Sequence, residues 1–508
     1  MGTLSISAEK ITWEVLAPFL AAPGKVRLSP PARKNIRSSY SKLTKILASS
    51  QKIYGVTTGF GKLAQVTISA KDQEKLQLNL VRSHACGVGS PLDQGVTRLV
   101  MVLKILNFAR GYSGIDPQLV NLMVAMVNHD ILPQIPRKGS VGASGDLAPL
   151  AHLALTLIGE GEVLFQDRVI PAMLALKEAG LDPVKLGPKA GLSLVNGTQV
   201  STALAVKALT EAETLLKSAD LAGALTTEAS LSTREVFRPA IHNLKNHPGQ
   251  HQAARNLWRL LKDSEIIQSH ADCDRVQDPY CIRCLPQVHG ASRALFRAAE
   301  GMINAEINSV SDNPLVLASG QVVNSGHFHA ETIAQALDTL AIAMTEIGAI
   351  AERRIHFLMK GVAGRVPPFG AQVPGLESGY MLAHVTAASL ASENKTLAHP
   401  ASVDSLPTSG GQEDFVSMAP WAGRKCLRII ENVRLILAVE TLVSASINNR
   451  FHAKWRSAPA LRKITRFMKR QFPFAPDNQP LGREIEKVSD LIQQQKLIRL
   501  ISPLITLE

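Results

Sequence analysis

A mainly α protein, built on a long central helical bundle, is the fold this sequence predicts. Three observations carry that expectation. Of 508 residues, 45% are hydrophobic and 19% charged, so a large core is available and extended disorder is not expected. Aromatic residues are only 5%, and the Ala- and Leu-rich remainder of the apolar content favours helix. Apolar residues also recur at helical spacing over long stretches. The clearest is Glu331 to Leu358, with Ile333, Leu337, Leu340, Ile347 and Ile350 on one face. Glu346, Glu352, Arg353 and Arg354 interrupt that stretch, which marks a bundle helix. No uninterrupted apolar run reaches the ~20 residues that span a bilayer, so no membrane partner is expected. Two domains are expected, 1–200 and 201–508, the second being the helical bundle.

Taken in order, residues 1–50 read as a short edge segment and a Lys/Arg-rich helix. Tyr54-Gly55-Val56-Thr57-Thr58-Gly59-Phe60-Gly61 is a Gly-rich loop with a tyrosine at its start. Ser83 and His84 close a polar helix ahead of the Gly87-Val88-Gly89 stop, a position from which a histidine can face a cavity. Residues 95–130 read as helix broken at Gly111 and Gly114. Then comes Gly139-Ser140-Val141-Gly142-Ala143-Ser144-Gly145-Asp146, a sterically bare loop. The apolar run from Leu147 to Ile158 follows it at helical spacing, with Asp146 or Ser144 as the expected cap. Gly159 to Phe165 reads as an excursion with short strands, and Gly191 to Gln199 as the opening of a long helix, with Asn196 a candidate cap. Mainly Ala/Leu helices are expected from about Thr198 onward. A Pro-bounded segment, Gln277 to Gln287, carries Tyr280 and Arg283. His327-Phe328-His329 has two histidines without a third metal ligand, and Ser405 to Met418 places Glu413 and Asp414 in a Gly-rich turn.

The formal charge is +13. Lys454, Arg456, Arg462, Lys463, Arg466, Lys469 and Arg470 fall in a stretch with no acid between Thr441 and Pro476. No nucleic-acid motif accompanies them, so a solvated helical face is expected and nucleic acid is not. A basic protein does favour small carboxylate substrates. Cysteines are few and odd in number: Cys86, Cys273, Cys281, Cys284 and Cys426. That usage, with no secretory signal at the N-terminus, points to a reducing, cytoplasmic setting. The one CxxC, Cys281 to Cys284, lacks the second pair of a zinc ribbon, so no metal is expected.

The bare loop has a chemistry of its own. If the nitrogen of Gly145 attacks the carbonyl of Ala143, three residues close a five-membered ring. Gly145 offers an unhindered nitrogen, and Ala143 is small. Loss of the Ser144 hydroxyl as water leaves an exocyclic methylidene. The product is a 4-methylidene-imidazol-5-one, an electrophile made from backbone. A helix N-terminus beside it would stabilise electron density flowing into the ring. The words around the loop point the same way. Gly-Ser-Val-Gly-Ala-Ser-Gly-Asp-Leu-Ala-Pro-Leu, residues 139–150, closely resembles the signature of the aromatic amino acid ammonia-lyases, the histidine branch in particular. Further motifs match in family order from about Tyr54 to Glu440.

The resemblance implies a fold and a reaction. The prosthetic loop would lie in the N-terminal domain. L-Histidine would lose ammonia without oxidation to give trans-urocanate, the ring from Ala143-Ser144-Gly145 being the only cofactor. It implies Tyr54 as base for the β-proton, Arg283 as clamp on the substrate carboxylate through its bidentate fork, and Asn196 and Tyr280 around amine and ring. Gln277 and Phe328 join the substrate-binding set, and His84 and Glu413 hold the imidazole. Ser83-His84 also occurs in some tyrosine lyases. Gly411, Phe415 and His327 stand where the family usually has Asn, His and Asn. A homotetramer with composite sites is implied as well. The alternatives are a tyrosine ammonia-lyase or aminomutase with the same ring and, further off, a non-catalytic helical binding protein.

Overall fold

The computed structural model describes residues 2–48, 52–477 and 480–508, and they are mainly α-helical. The helices that matter below are α1 (Pro30–Leu47), α2 (Gln73–His84), α3 (Gln94–Ala109), α4 (Pro117–His129), α5 (Leu147–Leu157), α6 (Ala190–Val195), α7 (Gln199–Ala229), α8 (Leu285–Ile307), α9 (Glu331–Met359), α10 (Met381–Leu397) and α11 (Ala419–Arg450). The chain forms two compact units, each discontinuous in sequence. The first comprises Met1–Lys207, Glu300–Asp338 and Pro400–Arg424; the second comprises Ala208–Ala299, Thr339–His399 and Lys425–Glu508.

In the first unit the expected edge segment is the strand Thr3–Ile6, which pairs in parallel with Lys25–Leu28. Ser29 caps the N-terminus of α1 by accepting from the Ala32 amide, with Pro30 at the position where a missing N–H costs nothing. The helical stretch expected at 95–130 is α3 and α4, separated at Gly111 and Gly114, with Asp93 and Asp116 as their caps. α3 is buried all round from Gly95 to Ala109. The excursion after Gly159 is a hairpin, Glu162–Phe165 with Arg168–Pro171. Leu132–Pro133 joins that sheet, and Pro136–Lys138 pairs with Val88–Pro91, so the bare loop leaves directly from a strand.

Two local expectations need correction. Asp146 does stand at the N-cap position of α5, but its side chain makes no cap hydrogen bond there, and the Ser144 hydroxyl goes to Glu413. The Asp146 carboxylate turns away from its own helix and accepts from the amide and hydroxyl of Ser201, both at 2.8 Å. The long helix also does not open at Gly191. α6 stops at Val195, Asn196 is extended, and α7 begins at Gln199. Gly197 ends the run, and its carbonyl is used elsewhere, accepting from the Asp146 amide at 2.8 Å.

The second unit holds its core together with buried charge. Arg354 on α9 forks onto Glu440 on α11 (Nε to Oε1 2.5 Å, Nη2 to Oε2 2.9 Å), with both side chains fully buried. Thr226 on α7 donates to the same carboxylate at 2.7 Å. Asp220 accepts from Asn256 and Arg293 and pairs with His289 Nδ1 at 2.7 Å. By length and mean composition α9 could cross a membrane, but Asp338, Glu346 and Glu352 interrupt its apolar run and 72% of its most apolar stretch is buried within the protein. The basic helix Pro459–Gln471 buries Leu461, Ile464 and Met468 and leaves Arg466, Lys469 and Arg470 in solvent, as a solvated face should.

Candidate active site

In the first unit α2, α5 and α6 pack on one another. They wall a cavity of about 680 Å³, lined by Tyr54, His84, Ser144, Asn196 and Glu413 together with apolar side chains such as Leu80 and Leu192. Five residues singled out in the sequence, drawn from five separate segments, thus line one cavity.

Each is held by local structure. The Tyr54 loop is tied to α2 and α6 by one buried side chain. Gln77 donates to the Gly55 carbonyl at 2.8 Å and accepts from the Leu192 amide at 3.0 Å. Sequence reading passed over Gln77, because a glutamine on a polar helix reads as solvated. The Tyr54 hydroxyl accepts from the Gly61 amide at 2.9 Å, and the Phe60 ring meets the tyrosine ring edge-on. His84 ends α2 with its Nδ1 3.1 Å from Ser83 Oγ. Burial lowers His84 from its ordinary value, opposed by its hydrogen bond to the Leu80 backbone and then by the Glu413 carboxylate, so the site favours the neutral imidazole.

The loop 139–146 is pinned from two sides. On one, the Met418 amide donates to the Val141 carbonyl at 2.8 Å and Ser417 Oγ to the Gly142 carbonyl at 2.9 Å. On the other, Gly145 pairs with Gly197. Both contacts demand glycine. Gly142 and Gly145 have φ of +68° and +72°, and a Cβ would lie 2.2 Å from Ser417 Oγ or from the Gly197 carbonyl oxygen. Ala143 is buried between them and Ser144 faces the cavity. Ser144 Oγ donates to Glu413 Oε1 at 2.8 Å, while Glu413 Oε2 accepts from Thr408 Oγ1 at 2.7 Å. The tight turn between Thr408 and Glu413 fixes that carboxylate.

Asp146, the last residue of the loop, is fully buried. Burial pushes its carboxyl up to about 6, and the Ser201 and Ser140 hydrogen bonds hold it below where burial alone would put it. The Asn196 side-chain oxygen is buried on the cavity wall with no hydrogen-bond partner. A loop stripped of side chains, a serine between two compact residues, and an unpaired amide oxygen nearby together fit a backbone-derived ring at Ala143-Ser144-Gly145.

Phe328 lies in the same unit, half-buried in a turn, and is not among the cavity-lining residues. His329, its neighbour, stacks on Phe415 and approaches the Phe415 carbonyl at 3.1 Å. Gln277, Tyr280 and Arg283 belong to the second unit. There Asp278 anchors their segment by accepting from the Thr233 amide at 2.8 Å and from Arg275 at 3.1 Å. Tyr280 is 70% exposed, the Arg283 guanidinium lies 4.9 Å over its ring, and Arg283 Nε is buried without a partner.

Comparison with known proteins supplies an independent view. Residues 11–470 match the family model for aromatic amino acid lyases. Histidine ammonia-lyase of Enterobacter sp. (strain 638) is 47% identical over 99% of this chain and 100% of its own. That of Salmonella typhimurium is 47% identical over 99% of both chains. Among solved structures, histidine ammonia-lyase from Trypanosoma cruzi superposes with a TM-score of 0.90 at 35% identity, covering 99% of this chain and 95% of that one. Tyrosine aminomutase from Streptomyces globisporus gives a TM-score of 0.92 at 30% identity over the whole of both chains.

Proposed function

The chain belongs to the aromatic amino acid lyase family, and on that premise we propose that it eliminates ammonia from L-histidine to give trans-urocanate. The observation that carries this reading is the cavity on which Tyr54, His84, Ser144, Asn196 and Glu413 converge, with Ser144 Oγ 2.8 Å from Glu413. Ring formation balances without an oxidant. The Gly145 nitrogen bonds to the Ala143 carbonyl carbon, whose oxygen leaves as water. Ser144 then gives up its Cα hydrogen and its hydroxyl as a second water. The ring so formed supplies an electrophile that makes the substrate amine a better leaving group. No metal or diffusible cofactor enters this scheme.

The remaining work falls to this chain's side chains. Tyr54, as its phenolate, takes the β-proton of the substrate and is left neutral; the Gly61 amide that donates to its oxygen stabilises the phenolate before that transfer. Glu413 accepts an imidazole N–H, and neutral His84 orients the same ring. Asn196 positions the amine. Tyr280 joins Asn196 around the amine and the ring, Arg283 grips the carboxylate with Gln277 beside it, and Phe328 closes the substrate pocket. Because Gln277, Tyr280 and Arg283 belong to a different unit from the cavity, the proposal includes a homotetramer with composite sites, in the cytoplasm. A tyrosine ammonia-lyase or aminomutase is the second reading, supported by the likeness to the Streptomyces globisporus enzyme. Glu413 on the cavity wall suits an imidazole better than a phenol. A panel of histidine, tyrosine and phenylalanine, read by absorbance of the unsaturated acid, separates the two. Turnover of histidine well above the others is expected, and comparable turnover of tyrosine would favour the second reading.

A further inference from the structure

Lys104 lies in the middle of α3 with no exposed surface, in a helix buried on every side. A buried ammonium is costly unless hydrogen-bonded, and a methionine of the same length would fill the space without that cost. What the lysine holds is therefore informative. Its Nζ donates to the main-chain carbonyl of Asn196 and reaches Gln199 Oε1 at 3.4 Å. The charged groups around it are Asp312, Asp146 and a second buried lysine, Lys189. Asp312 is already engaged by Lys189, which also donates to the Ser113 carbonyl at 2.7 Å and Ser193 Oγ at 2.8 Å. The hydrogen bonds of Lys104 itself thus go to a carbonyl and an amide, not to a carboxylate. Burial pulls Lys104 down to about 7, with Asp312 and Asp146 opposing that shift and Lys189 adding to it.

The Asn196 carbonyl belongs to the peptide that leads into Gly197. On its far side the Gly197 carbonyl accepts from the Asp146 amide at 2.8 Å, and Gly145 packs against the same oxygen. At its near side stands the Asn196 side chain on the cavity wall. Asn196 and Gly197 thus link the carbonyl that Lys104 holds both to the backbone at Gly145 and Asp146 and to the Asn196 amide on the cavity wall.

We propose that Lys104 is a positioning residue for ring formation: its ammonium fixes the Asn196–Gly197 peptide, which in turn holds the Gly145 nitrogen where it can attack the Ala143 carbonyl. The inference rests on the ring-forming reading above. Lys104 touches neither substrate nor reacting atoms. Its leverage is geometric, because ring closure depends steeply on the approach of nitrogen to carbonyl carbon.

A purely structural lysine would change stability and leave ring content alone, so both are measured. Wild type, Lys104→Met and Lys104→Gln are expressed, the folded fraction is isolated, and cyclisation of each folded population is followed over time by intact mass alongside Tm. Lys104→Gln, polar but neutral and shorter, serves where Lys104→Met does not accumulate. The expected result is a fully cyclised wild type and ring closure about tenfold slower in folded variants, the size of a lost charged hydrogen bond. Folded variants that cyclise as fast as wild type, whatever their Tm, overturn the inference and leave Lys104 a stabilising residue. A wild type with no loss of water at all would instead overturn the ring-forming reading itself, and the two failures are told apart by the wild-type mass alone.

Discussion

Tyr54 keeps its hydroxyl 2.9 Å from the Gly61 amide on the wall of the same cavity as Ser144. In the proposed scheme it acts on the substrate and takes no part in making the ring. Tyr54→Phe should therefore mature normally, with the mass of wild type, and lose most turnover. Near-wild-type kcat in that variant would remove Tyr54 from the role of base. Glu413 answers a different question. Loss of its charge-assisted hydrogen bond to an imidazole should cost about 1.5–3 kcal/mol, about ten- to a hundred-fold in kcat/KM for histidine. Glu413→Ala should hurt histidine more than tyrosine, and an equal loss for both would argue that Glu413 does not read the imidazole. At this scale the sequence was legible where chemistry is concentrated in unusual residue words. It was not legible for Gln77, Lys104 or the true partner of Asp146. Buried polar side chains on helices look like solvated ones until the partner is known, and their partners lie far away in the chain.

Among elements, the loop 139–146 stood out because its glycines leave no other use for so many bare positions. The interruption between α6 and α7 did not, since an isolated glycine inside an apolar run is compatible with continuous helix. α3 concealed Lys104 for a related reason: a helix buried on every face has no polar stripe against which a lysine looks out of place. In the second unit the fork between Arg354 and Glu440 joins α9 to α11. Arg354→Met leaves Glu440 buried without its charge partner, with only the Thr226 hydrogen bond remaining, and should destabilise by about 3–5 kcal/mol in denaturant unfolding. A change within error would mean that the carboxylate finds another partner or a proton. Glu228 on α7 gives a pH test. Burial pushes it up to about 7, against hydrogen bonds from Ser264, Ser457 and the Ala458 amide. Its folded value lies above the unfolded one, so its stabilising contribution is complete below the unfolded value and is lost as pH rises through about 7. The Tm of wild type should fall relative to Glu228→Gln between about pH 5 and about pH 8. A constant difference across that range would contradict the shift.

At the scale of the whole molecule, the mainly α fold was legible from composition and period, since long Ala/Leu stretches have few other solutions. The proposed composite site has a direct genetic test. Ser144→Ala lacks the ring, Arg283→Ala lacks the carboxylate clamp, and each alone should be nearly inactive. Co-expression should restore part of the activity, because mixed assemblies hold some sites with both groups intact. No recovery in mixed assemblies confirmed by mass would reject sharing between those positions. The claim on which the rest depends is that Ala143, Ser144 and Gly145 become an electrophile without any added reagent. Its most direct test is the intact mass of the purified, active protein beside that of Ser144→Ala. The expected wild-type mass is below the sequence mass by two water molecules, with that deficit and the activity both lost in Ser144→Ala; an active wild type at its full sequence mass would contradict the account.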